Sequence, residues 1–68
     1  MEIKIGQKVT ELYENQTYTV EEIGNYDSLL TKGFDLPEPD EEDVLEDVWV
    51  GITVRGVKTG INVAWLKN

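Results

Sequence analysis

Lys58-Thr59-Gly60 is the first stretch of this sequence whose residue types invite chemistry. Some serine enzymes line an acyl site with such a tripeptide, but they also need a Ser-x-x-Lys nucleophile. The only serine here is Ser28, followed by Leu29, Leu30 and Thr31. Gly56-Val57-Lys58-Thr59 likewise echoes part of a phosphate-binding loop, yet the first half of that motif is missing and the surroundings read as a hairpin rather than a helix entrance. With no His and no Cys, the usual general base near neutral pH and the usual activated nucleophile are both absent. Paired carboxylates do acid–base work only when one is desolvated enough to raise its pKa, and the acids here crowd into a segment that reads as solvated. The expectation is a protein without enzymatic activity and without a cofactor.

That acidic segment is the most informative feature. Eight of the 14 acids (Asp35, Glu38, Asp40, Glu41, Glu42, Asp43, Glu46 and Asp47) fall between Asp35 and Asp47 with no base among them, and the other six acids balance the six bases. The whole net charge of −8 therefore belongs to one stretch. Calcium is the metal to weigh against oxygen ligands, but calcium loops alternate their ligands around a sharp-turning Gly, and Asp40 to Asp43 has neither feature. No metal site is expected. A concentrated negative field instead attracts basic surfaces and steers association, so a protein partner with a basic surface is the first expectation. An alternative is mimicry of nucleic-acid phosphates to inhibit a nucleic-acid-binding protein, since a helix over these 13 residues would be about 20 Å long. A second alternative is weak single-strand binding through Arg55, Lys58 and Lys67 with Trp49 and Trp65. Against the acidity of the chain, direct nucleic-acid binding is the weaker expectation.

The elements that must position these residues read as strands. Lys8 to Tyr13 alternates before a turn at Glu14-Asn15-Gln16, and Thr17 to Ile23 is rich in β-branched and aromatic residues, with Ile23 out of phase and a bulge or early end expected near Glu21-Glu22. Leu29-Leu30-Thr31 suggests a short third strand ended by Gly33. In the fourth, Val48, Val50, Ile52 and Val54 alternate strictly with Trp49, Gly51, Thr53 and Arg55, so one face must be core. Gly56 and Gly60 supply the tight return, and Ile61, Val63 and Trp65 make the last strand. Between strands three and four, Pro37, Pro39 and Asp40 suit a helix start, and Val44, Leu45 and Val48 offer a short apolar stripe. A short acidic helix and an acidic loop both remain open there.

Five short strands in 68 residues fit one mainly β domain over residues 1–68, a small five-stranded barrel with the acidic insert at 35–47. Leu12-Tyr13-Glu14, Trp49-Val50-Gly51, Gly56, Gly60-Ile61 and Val63-Ala64-Trp65-Leu66 follow the order seen in Src-homology-3-like small barrels, which this chain resembles. It lacks the tandem Trp and the Pro ahead of the last aromatic that the proline-binding members use; Trp49 is single and position 63 is Val. The chain also resembles small phage and prophage proteins of the YorP type, which are similar in length and carry a helix where Leu36 to Asp47 falls. That resemblance implies a phage or prophage origin and supplies no activity. No apolar stretch reaches the roughly 20 residues of a membrane span and the first residues lack a secretion signal, so a cytoplasmic protein, in the host if phage-encoded, is expected. An uncovered strand edge leaves monomer and weak homodimer both open. The candidate binding residues are Trp49, Tyr13, Tyr26, Asp40, Glu41, Glu42, Asp43, Glu46 and Asp47. Trp49 points away from the Val50 face, where it is either covered or presented to a partner.

Overall fold

The computed structural model describes residues 2–38 and 46–67. Along them run β1 (Lys8–Glu11), β2 (Thr17–Thr19), β3 (Glu22–Gly24), α1 (Tyr26–Thr31), β4 (Trp49–Val54), β5 (Val57–Asn62), a 3-10 turn (Val63–Trp65) and β6 (Leu66–Lys67). The strands form two three-stranded antiparallel sheets, ordered β2-β1-β6 and β3-β4-β5. The chain is mainly β, as its composition implies. The described strands number six rather than five, and they do not join into one closed sheet.

Two short segments tie the sheets together. The first runs from β2 into β3 through Val20 and Glu21, where the Val20 amide donates to Gln7 O on one side and the Glu21 amide to Gly51 O on the other, each at 2.8 Å. The interruption falls where the phase slip of Ile23 predicts one. The second runs from β5 into β6. Asn62 ends β5 because its side-chain Oδ1 accepts from Ala64 N at 2.9 Å and turns the chain into the 3-10 turn. The expected continuous strand through Ile61, Val63 and Trp65 is thereby cut short, since a local side-chain cap competes with the ladder.

The β4–β5 hairpin pairs six residues with six, from Trp49 opposite Asn62 to Val54 opposite Val57. Its turn is Arg55-Gly56, both at positive φ (52° and 80°), the pattern of a type I′ turn whose twist suits a two-residue hairpin. Gly60, expected in that turn, is instead a strand residue facing Gly51 across the ladder. Val50 and Ile52 meet Val9, Val20, Ile61 and Leu66 in the core between the sheets, with Val54 packed at its margin. Val48 was expected on the same face but precedes the strand and is 39% exposed. Its carbonyl accepts from Val63 N at 3.0 Å, a bond one register step beyond the Trp49–Asn62 end of the β4–β5 ladder.

The third expected strand is a helix. Asn25 caps α1 by accepting from Ser28 N at 2.8 Å, and Asp27 sits in the first turn where it complements the helix dipole. At the other end Gly33, with φ 95°, lets Phe34 N reach Leu29 O at 3.0 Å while Gly33 N reaches Leu30 O at 3.1 Å. These two bonds make a Schellman stop, and its usual apolar contact is present between Leu29 and Phe34. A run of three apolar or β-branched residues is too short for its period to separate strand from helix, and the capping residues decide the matter.

Leu29, Phe34, Leu36 and Trp49 form a second core cluster on the far face of β4. The floor beneath it is the Gly51–Gly60 pair. A Cβ on Gly51 would stand 2.7 to 3.0 Å from the Phe34 ring, and one on Gly60 would overlap Leu36. Two facing glycines thus leave a flat gap on the sheet into which Phe34 and Leu36 are set. Asp35, between them, hydrogen-bonds its amide to Lys58 O at 3.0 Å and its carbonyl receives the Thr59 hydroxyl at 2.9 Å. The acidic stretch therefore begins as a short parallel rider on the β5 edge.

Candidate binding groove

The open mouth between the two sheets is a concavity that gathers three aromatic side chains, Tyr13, Tyr18 and Trp65. Tyr18 of β2 and Tyr13 of the β1–β2 loop stand on one side, Val54 of β4 and Ile61 of β5 on the other, with Trp65 at one end and Glu14 on the rim. Its volume is about 420 Å³, a shallow groove rather than an enclosed substrate cavity. The groove exists because β2 and β4 approach each other without pairing.

Local chemistry holds the rim. Glu11 folds its carboxylate under the loop, Oε1 accepting from Tyr13 N at 2.6 Å and Oε2 from Glu14 N at 2.7 Å. Asn15 takes positive φ (59°) to close the turn, and its side-chain oxygen receives the Lys67 ammonium from β6. The loop backbone is thus fixed from inside, and Tyr13 is left 73% exposed at its tip. A held backbone with a projecting aromatic lowers the entropy cost of contact.

The candidate residues named from sequence separate into two groups. Tyr13 is in the groove. Trp49 is 1% exposed and has no surface to offer, so its candidacy for direct contact gives way to the covered alternative. The cover comes chiefly from Leu29, Phe34 and Leu36. Tyr26 is half-buried and structural: its ring meets Trp49 edge-on at 5.3 Å, and its hydroxyl donates to Leu36 O at 3.4 Å. Glu46 and Asp47 are exposed, yet both also serve the fold. Glu46 O accepts from Asn62 Nδ2 at 2.8 Å, while Asp47 Oδ1 accepts from Tyr26 N at 3.0 Å and Trp49 Nε1 at 3.2 Å. Asp40, Glu41, Glu42 and Asp43 lie outside the described residues, as do residues 39–45 of the stretch in which the acidic helix or loop is expected.

Asp47 therefore satisfies both a helix-start amide and a buried indole. Asp47→Ala is expected to lose about 1–2 kcal/mol in urea denaturation followed by tryptophan fluorescence. Asp47→Asn, which retains an oxygen acceptor, should lose less than half of that. Equal losses for the two variants would show that charge, not the acceptor geometry, is what Asp47 contributes.

The residues named for single-strand binding have separate placements. Lys58 Nζ stands over the Phe34 ring at 5.4 Å from its centroid, Lys67 is engaged by Asn15, Trp49 is buried and Arg55 is on the hairpin turn. Sequence reasoning passes over Tyr18 and Glu14 as binding residues and names Trp65 only in the last strand and for the single-strand alternative. The Leu12-Tyr13-Glu14 run is the available sequence signal for this end of the groove.

Trp65 connects the groove to the interior. It packs against both clusters and stands edge-on to Trp49 at 5.3 Å and 89°. Tyr26, Trp49 and Trp65 thus form a row of edge-packed rings from α1 to the groove. Among the described residues no group of His, Cys, Asp and Glu side chains could hold a metal ion, and no helix is long and apolar enough to cross a membrane. No family model, curated protein or solved structure matches this chain.

Proposed function

We propose that this chain is a non-enzymatic binding module that takes a basic segment of a protein partner into the groove between its two sheets. The observation that carries the proposal is the exposed Tyr13 standing with Tyr18 and Trp65 over a groove rimmed by Glu14. Aromatic residues contribute large contact area at low entropy cost and are frequent anchors of interfaces, and the acidic rim selects a cationic side chain over an anionic one. The acidic segment acts at longer range, raising the rate of encounter with a basic partner.

On this proposal the molecule is a small barrel of the Src-homology-3-like kind, of phage or prophage type, acting in the host cytoplasm. Supporting the barrel assignment are the two crossing segments that join the sheets, the tight β4–β5 hairpin and the 3-10 turn ahead of the last strand. The missing tandem Trp argues for a basic segment as ligand rather than a proline helix.

Selection of ligands from a random peptide display library tests the binding reading. The expected ligands carry Lys or Arg, quench or shift Trp65 fluorescence on binding, and bind Tyr13→Ala and Glu14→Gln at least about fivefold more weakly, a loss of about 1 kcal/mol. Neutralising Asp40 to Asp43 with Asn and Gln should slow association at low salt and leave dissociation unchanged. Ligands without basic residues, or ligands indifferent to Tyr13 and Glu14, would place the binding surface elsewhere.

A further inference from the structure

Arg55 is the residue of the β4–β5 hairpin that the turn itself does not call for. The first central position of a type I′ turn favours Asn, Asp or Gly, and an Arg held at φ 52° carries the steric penalty of the left-handed region. Strain at a non-glycine position is a reason to ask what the side chain does. Arg55 lines a second cleft of about 420 Å³ with Gln16, Tyr18, Val54 and Glu14. Tyr18, Val54 and Glu14 also line the aromatic groove, so the two clefts are continuous. The other cations of the hairpin and last strand are occupied, Lys58 over Phe34 and Lys67 at Asn15. The ion pair among the described residues, Lys32 with Glu22 at 3.4 Å, does not involve Arg55.

We propose that Arg55 is an anion subsite at the hairpin end of the groove, taking a carboxylate side chain of the same protein segment whose basic residue lies toward Glu14. The inference rests on the groove being the binding site. A guanidinium is suited to this task because its planar fork meets both oxygens of a carboxylate. Glu14 on the facing loop and Arg55 on the turn then give the cleft opposite charges on its two walls, which fixes the direction in which a segment lies. The ligand class narrows to segments bearing one basic and one acidic residue near each other.

The test is an amide-resolved NMR titration with N-acetyl-aspartate N-methylamide and its asparagine counterpart, at constant ionic strength. The aspartate probe is expected to shift the amides of Gln16, Tyr18, Arg55 and Gly56 saturably, and the asparagine probe to leave them in place. Arg55→Asn should weaken the aspartate probe at least tenfold and raise the melting temperature by about 4 °C, because Asn suits the turn better. Glu14→Gln should tighten the aspartate probe by removing a repulsive neighbour while weakening the basic peptides of the display experiment. Loss of those peptides in Glu14→Gln, together with no saturable shift by the aspartate probe in the unsubstituted protein, would therefore leave the groove standing and remove the anion subsite. Equal shifts by the two probes, undiminished binding by Arg55→Asn, or a lower melting temperature for that variant would each overturn the proposal.

Discussion

Trp49→Ala is expected to abolish cooperative folding at 37 °C, while Trp49→Phe remains folded with reduced stability. A domain of 68 residues has a total stability of only about 3–10 kcal/mol. Truncating a fully buried large aromatic costs about 3–5 kcal/mol, a major share of that total. Trp49 is 1% exposed and is the largest of the fully buried side chains. Its loss would uncover Leu29, Phe34 and Leu36 together, and it would leave Tyr26 and Trp65 without the ring each packs against edge-on. Phe fills part of the volume and gives up the indole bond to Asp47. Far-ultraviolet circular dichroism and urea titration distinguish these outcomes. A well-folded Trp49→Ala protein with a sharp transition would show that the second cluster is dispensable and that the core between the sheets is sufficient alone.

The importance of Trp49 shows what could and could not be read from residues in order. The alternation of Val50, Ile52 and Val54 against Trp49 and Gly51 placed the two sets on opposite faces of β4, because a period of two is a strong local signal. It could not say what covers the second face. The cover is Leu29, Phe34 and Leu36, more than a dozen residues earlier, and their approach depends on α1 turning the chain back across the sheet. That helix was missed because Leu29-Leu30-Thr31 carries no period of its own. The evidence lay in Asn25 three residues before Ser28, and in Gly33 followed by an apolar residue that can contact Leu29. Gly60 was misassigned for a related reason: two glycines near a hairpin suggest a turn, yet Arg55-Gly56 alone completes it. A glycine left over inside a strand marks close approach of another group, here Leu36.

The groove was less legible still. Tyr13 could be named because it stands beside a turn, but Tyr18 and Trp65 come from strand and 3-10 segments far apart in sequence. Their meeting depends on how far the two sheets stand open, and no local pattern encodes that opening. The acidic insert was legible as a charge, whereas its ends turn out to be structural anchors: Leu36 on Gly60, Asp35 on β5 and Asp47 on α1 and Trp49. Charge density and structural duty coexist in one segment because, among the described residues, backbone groups of Asp35 and Glu46 and the single carboxylate of Asp47 do the anchoring.

The same face of β4 yields the other large effect. Gly51→Ala is expected to destabilise the protein by about 1–3 kcal/mol, the usual cost of overpacking, although an alanine in a strand ordinarily gains about 0.5–1 kcal/mol over glycine. The sign reverses because the new methyl would stand 2.7 Å from Phe34 Cε1 and 2.8 Å from Cζ. The ring has little freedom to yield. Phe34 is 6% exposed, its amide is bonded to Leu29 O, and the next residue is bonded to β5. Movement of β4 instead would disturb six consecutive pairs with β5. Phe34→Leu should itself be destabilising, but in the Gly51→Ala background it should restore part of the loss, since the shorter side chain leaves room for the methyl. A double-mutant cycle in urea therefore should give a coupling of about 1 kcal/mol or more between positions 34 and 51. Additive losses would mean that Phe34 already has room to move, and that the facing glycines serve the strand pairing rather than the cover over Trp49.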